Sequence, residues 1–246
     1  MSICASANNY INIKRGIHMA KSQILKDLVT NKTDLESILS RLKVIFMDIG
    51  DKTLLSWIDG ELMGFNGDDI PKYRIIKGIA KGTFVLNGQA QYTNANVPIE
   101  ALISDSEFID EILTVQVGNT IQSIQNLLES PDKENMSRVI PTYFCHKISR
   151  PDFQLLGMAI NISSTQLNSL TACVKSKLIE IIMELEKQFD NLDDLDITDQ
   201  IEQNEQKKEQ VVYNIMNIID NSTEIGDKNN IKKSGIGHFW GKDKNI

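Results

Sequence analysis

The chain is poor in the side chains that announce familiar chemistry. Its three cysteines, Cys4, Cys145 and Cys173, lie far apart in 246 residues. An odd, scattered set fits free thiols in a reducing cytosol better than a disulfide framework. Histidine is as scarce, with His18, His146 and His238, the first and last near the ends. Cys145 and His146 are adjacent, and in a strand neighbours point to opposite faces, which disfavours both a zinc site and a Cys–His nucleophile pair. There is no Gly-x-Gly-x-x-Gly, no phosphate-loop Lys-Ser/Thr, no His-Glu-x-x-His and no Gly-x-Ser-x-Gly, so the common nucleotide, zinc-protease and serine-hydrolase patterns are missing. No metal or cofactor is expected. No apolar run approaches the roughly 18 residues of a membrane span, and the start lacks the apolar core of a signal peptide. We therefore expect no stable membrane insertion and a cytoplasmic location. A net charge of −7 argues against general nucleic-acid affinity, which needs clustered Lys and Arg.

What remains is a folded chain with long apolar periods. Hydrophobic residues make up 41% and charged residues 24%, enough at this length for a sizeable core. Residues 1–18 show no amphipathic period. Lys14, Arg15 and Gly16 can be encoded by purine-rich codons resembling a bacterial ribosome-binding site just before Met19. This segment is expected to be either a disordered arm or a non-native extension, with translation starting at Met19.

Residues 19–192 read as one α+β domain, predominantly helical, with long amphipathic helices and a small antiparallel sheet. "AKSQILKDLV" predicts a short helix with Ile24, Leu25 and Leu28 inward. Thr33 and Glu36 suggest a capping box. From Leu35 through Ile38, Leu39, Leu42, Ile45, Phe46 and Ile49 the apolar spacing is three and four, one helical stripe, ended by Gly50. Asp51 is placed to cap a third helix through Met63, with Leu55, Ile58 and Leu62 on one face and Gly64 as the stop. Pro71 biases Ile70 to an extended conformation.

Residues 73–97 turn β-branched and aromatic, and Asn87 with Gly88 signals a hairpin between "TFVL" and "QAQYT". Helix is expected to return over 105–129, with Phe108, Ile109, Ile112, Leu113 and Val117 on one face and Ile121, Ile124, Leu127 and Leu128 on another. "VIPTYFCHKIS" and "FQLLGMAINIS" read as strands, the second best defined near 157–162. Ser163 and Gln166 form a capping box for the longest helix, whose stripe runs Leu167, Leu170, Val174, Leu178, Ile181, Leu185, Phe189.

Residues 184–209 hold ten acids against three bases, and 193–205 read as an acidic, solvated linker. A last helix over 206–221 has a wide apolar set, including Ile215 and Ile219, suited to docking on the domain or on another copy. Residues 222–246 form a basic, flexible tail. Its Phe239 and Trp240 would be an aromatic anchor if the tail is free.

One stretch concentrates polar chemistry: "LLSWIDGELMGFNGDDIPKYR". Trp57 and Glu61 are four apart and share one side of a helix. Arg74 can fold back beyond the loop to meet Glu61 as a bidentate pair, with Tyr73 covering it. Such a lock would be structural. Alternatively Glu61, Tyr73 and Arg74 line a cleft for a polar ligand, as low-grade catalytic candidates, with acids such as Asp68 and Asp69 beside them.

The same stretch resembles the N-terminal signature of bacterial AbiTii proteins, named for a two-component phage abortive-infection system. The pattern is a helix bearing Trp and Glu-Leu-x-Gly-aromatic, then a polar loop and Pro-x-Tyr-Arg. Trp57, Glu61, Leu62, Gly64, Phe65, Pro71, Tyr73 and Arg74 match, Phe65 standing where Tyr is more usual. "AINISSTQLNSLTACVKSKLIEIIMELE" is similar to the family's strand and long helix, so the resemblance covers about residues 20–190. It implies a role in antiphage defence and brings no established active site. Two readings follow. In one, the protein is a non-enzymatic regulatory, oligomerising or partner-binding module, its partner itself or another defence-system protein, with Ile215, Ile219, Phe239 and Trp240 as interaction residues. In the other, it is a toxic effector, a nuclease or other hydrolase, using Glu61 and Arg74.

Overall fold

The computed structural model describes residues 21–202 and 205–220. Residues 1–18, the Met19 start and the tail with Phe239 and Trp240 lie outside them. Helix α1 (Gln23–Val29) buries Ile24, Leu25 and Leu28. Helix α2 (Leu35–Ile49) buries all seven residues of its predicted stripe and stops at Gly50, whose φ is 68°. Its cap is Asp34, accepting from the Ser37 N–H at 2.7 Å, and not the expected Thr33. A carboxylate at this place also meets the positive end of the helix dipole, which a hydroxyl does not. Each fully buried Leu or Ile is worth roughly 1.5–3 kcal/mol and a cap about 1 kcal/mol. The stripe therefore fixes which face points inward, and the cap only sets where the helix starts.

Helix α3 (Lys52–Met63) is capped by Asp51 as expected, but its buried face is Leu54, Trp57, Ile58, Gly60 and Glu61. Leu55 and Leu62 are only half-buried. The helix is turned so that a carboxylate goes inward, which requires partners waiting for it. After Gly64 come a 3-10 turn (Gly67–Asp69), extended Ile70, Pro71, and a second 3-10 turn (Lys72–Arg74) leading into β1 (Ile75–Lys77).

Strands β2 (Ile79–Leu86) and β3 (Ala90–Asn96) form the predicted hairpin. Asn87 and Gly88 take φ of 51° and 66°, as the mirror-image turn requires. Helices α4 (Ile99–Leu102) and α5 (Ser106–Leu113) follow. The expected single helical run ends at Leu113, because Thr114–Gln116 is strand β4, antiparallel to β1 with Ile76 opposite Val115. Val117 is buried beyond that strand and not on the helix. Helix α6 (Ile121–Glu129) is capped by Thr120.

The segment expected as one strand around Cys145 splits: β5 (Ser137–Ile140) ends at Pro141, and α7 (Thr142–Ile148) begins. Pro141 has no N–H to continue a ladder and suits a helix start. Strand β6 (Phe153–Asn161) is longer than its best-defined part, and α8 (Ser164–Gln188) carries the full Ser163–Gln166 capping box and the whole predicted stripe through Phe189.

The fold is α+β and mostly helical, with two antiparallel sheets where one was expected. The larger has order β3-β2-β6-β5, and β1 pairs with β4 separately. One face of the larger sheet supplies Phe84, Phe153, Leu155, Met158 and Ile160 to the core, with Phe84 stacked on Phe153 at 4.6 Å between ring centroids. Helix α8 packs against α1 and α6. The stretch read as an acidic linker includes α9 (Thr198–Glu202), where Ile201 is buried. Ile197 is buried just before it, and its N–H donates to Asp48 of α2. Helix α10 (Glu205–Asp220) lies along α8 with Val211 and Ile215 buried.

Candidate functional site

The inward turn of α3 points Trp57 and Glu61 at the second 3-10 turn. Tyr73 and Arg74 meet them there. Arg74 donates from Nε to Glu61 Oε1 at 3.0 Å and from Nη2 to Oε2 at 2.5 Å, a fork-on-fork pair. The Tyr73 hydroxyl donates to Glu61 Oε1 at 2.5 Å and accepts from the Trp57 indole N–H at 2.8 Å. The other guanidinium nitrogen, Nη1, donates to the carbonyls of Val117 and Asn119 at 3.0 and 2.7 Å. Four of the five guanidinium donors are thus used, and Glu61 accepts three bonds. Arg74 also sits 4.9 Å from the centroid of the Phe65 ring.

Glu61, Tyr73 and Arg74 are each 0% exposed. Burial, and then the adjacent Glu61 charge, pushes the Tyr73 hydroxyl well above its ordinary pKa, so it stays a neutral donor. Burial works against the Arg74 charge, yet Glu61 more than restores it, raising its pKa. A lone buried charge would be costly; this one is paired and hydrogen-bonded, the condition under which such a group persists.

The backbone closes round this clasp. Phe65 N–H donates to the Gly118 carbonyl at 2.8 Å, and Val117 N–H to the Arg74 carbonyl at 2.9 Å. A Cβ on Gly118 would fall 2.5 Å from the Phe65 carbonyl oxygen, and one on Gly64, where φ is 95°, 2.9 Å from the Gly118 oxygen. Two glycines are what let the exit of α3 pass so near the β4–α6 turn. Phe65 is buried against Gly60, Leu62 is half-buried, and Pro71 precedes the second 3-10 turn.

A groove of about 460 Å³ runs along α3 past Lys52, Ser56, Asp59, Met63 and Asp69. Glu61, Tyr73 and Arg74 do not line it. Asp69 is exposed whereas Glu61 is buried, and the Asp68 side chain lies outside what the structure describes. General acid–base work needs a group within reach of a substrate proton, and Glu61 has its oxygens committed and no opening to solvent. Cys145 is buried while His146 is exposed, and both lie on a helix and not a strand. Burial raises the Cys145 and Cys173 thiol pKa values, which disfavours the thiolate.

Sequence reasoning missed Lys177 and Glu184 of α8. Lys177 is 4% exposed, with its ammonium 5.2 Å from the centroid of the Tyr73 ring, next to the clasp. Burial lowers its pKa. The signal was there: Leu170, Val174, Lys177, Ile181 and Glu184 follow helical spacing, so two charges sit inside an apolar row. Of the proposed interaction residues, Ile215 is 0% exposed within the chain and Ile219 is half-buried.

The geometry defines a class first: an α+β scaffold held at its centre by a buried Trp–Tyr–Glu–Arg clasp. The AbiTii family model matches residues 21–211, which takes in the clasp, both sheets and α8. The chain belongs to the AbiTii family, and membership implies a role in phage abortive infection. Searches of curated proteins and of solved structures returned no match.

Proposed function

We propose that the protein works as a non-enzymatic module of an antiphage abortive-infection system, regulating or assembling by contact with another copy or with a second defence protein. One observation carries this reading: Glu61, Tyr73 and Arg74 of its signature are spent on each other and fully buried. In this reading the signature builds the scaffold and activity resides in what the scaffold touches. Among the described residues no helix is long and apolar enough to cross a membrane.

The test is phage plating on cells carrying wild type, Glu61→Gln, or a truncation after Asn221, with folded protein quantified in each. The module reading expects the truncation to change protection while folded Glu61→Gln retains it. A folded Glu61→Gln protein that has lost protection, beside a fully protective truncation, would overturn it.

A further inference from the structure

Seven of the nine buried residues of α8 are aliphatic; the other two, Lys177 and Glu184, are charged. They are 4% and 6% exposed, two helical turns apart, about 10.5 Å along the axis. Both find partners on α10. Lys177 Nζ donates to the carbonyls of Ile218 and Ile219 at 2.6 and 3.0 Å. These belong to the last turn of α10, where carbonyls lack intrahelical partners and a cation meets the negative end of the dipole. Glu184 Oε1 accepts from Asn214 Nδ2 at 2.7 Å, while Oε2 takes Lys187 at 2.9 Å. Along its whole length α10 buries only Val211 and Ile215 fully, and of these only Ile215 lies between the two catches.

A face that stays covered gains little from Lys and Glu, because burying them forfeits their hydration; in the clasp that loss is offset by a two-pronged ion pair. A face that is uncovered part of the time does gain, since both charges return to water when the cover leaves. Contacts between parts that move relative to each other are more polar than cores for this reason. The AbiTii match ends at residue 211, so the half of α10 that carries Asn214, Ile215 and the Lys177-bound carbonyls lies past it.

We propose that α10 is a detachable strap: it lifts from α8 as a unit while the rest of the fold stays closed, with Lys177 and Glu184 as its catches, and lifting it switches the module. The switching clause rests on the function proposed above; the strap itself rests on geometry. Two placements make it a switch. Lys177 lies over the Tyr73 ring, so the far catch borders the clasp. Residues 221–246 follow α10 directly in sequence, at the end that Lys177 holds.

Hydrogen exchange on the full-length protein, read by mass spectrometry, tests the strap. In wild type, amides of 211–220 should exchange at least tenfold faster than those of α2 and α8. Lys177→Met, which keeps an unbranched stem and removes the donors, should speed 211–220 another tenfold or more with α2 and α8 unchanged. Equal protection of α10 and α8 in wild type overturns the strap, as does a variant that loosens all three helices together. Asn214→Ala releases the other catch and carries the same two outcomes should Lys177→Met fail to fold. Phage plating with the same variants then reads the switch. At least a tenfold change in plating supports it, and unchanged plating with a loosened α10 overturns it while the strap stands. A wild-type chain that never affects plating overturns the function proposed above and the switch with it, and the exchange data still decide the strap.

Discussion

Arg74 and Glu61, thirteen residues apart, meet as a two-pronged ion pair with no atom of either open to solvent. Because water cannot replace either partner, the pair is worth most as a pair. Glu61→Gln leaves the guanidinium charged and buried against a neutral amide, and should destabilise the protein by about 3 kcal/mol. Urea unfolding checks this as a lowered midpoint with unchanged slope. Arg74→Met added to Glu61→Gln should cost less than the two single changes summed, since the residues share one network. Strict additivity would show that the contact carries no coupling.

Tyr73 joins the indole to the carboxylate. Tyr73→Phe removes one hydroxyl and leaves the buried Trp57 N–H without its acceptor, at about 1–3 kcal/mol. Trp57 emission should change as its ring environment loosens. A stable variant with unaltered fluorescence would mean that the indole has found another acceptor.

Gly118 stands where backbone passes backbone. Gly118→Ala forces a methyl to within 2.5 Å of the Phe65 carbonyl, and should cost about 1–3 kcal/mol. Gly157→Ala is the control, because a methyl there meets nothing within 4 Å. Equal melting temperatures for the two variants would refute the close crossing.

Asp34 caps α2, and the Ser37 N–H holds its carboxyl below the usual carboxylate range. Asp34→Ala should cost about 0.5–2 kcal/mol, whereas Thr33→Ala should be near neutral. The reverse order would restore Thr33 as the cap.

Two carboxyls of α8 make stability fall in acid. Burial pushes Glu184 and Glu186 up. Asn214 and Lys187 pull Glu184 down further, and Lys21 and Ser22 do the same for Glu186, so both end below the ordinary glutamate value of 4.5. Each therefore holds its proton more tightly in the unfolded chain. The stability they add is complete above pH 4.5 and is lost as pH falls through their lowered folded values. Melting temperature should drop below that pH, with the start of α1 and the Asn214 turn of α10 loosening first. Glu184→Gln with Glu186→Gln should flatten the acid limb; an unaltered limb would assign it to other carboxyls.

Much of this was legible in the residues because helical periods repeat. The stripes of α2 and α8, the Ser163–Gln166 box and the Asn87–Gly88 turn are local patterns, and each folds as its spacing requires. The clasp was legible too, since Trp57 and Glu61 share a helix side and Tyr73 and Arg74 follow a loop short enough to return them. Strand β4 was not, because Ile109, Ile112, Leu113 and Val117 keep a helical spacing that only pairing with β1 interrupts. The Val117 and Asn119 carbonyls were not either, because a backbone acceptor leaves no trace in side-chain identity. Lys177 left a trace, a charge within an apolar row, but its partner is again backbone.

The reach of Arg74 also sets a schedule for synthesis. Its guanidinium needs the Asn119 carbonyl, forty-five residues downstream, and Tyr73 beside it lies under Lys177, more than a hundred residues downstream. The contacts among residues 57–74 need nothing further along the chain, but the carbonyls and the helix that shield them from water are complete only once Lys177 has emerged.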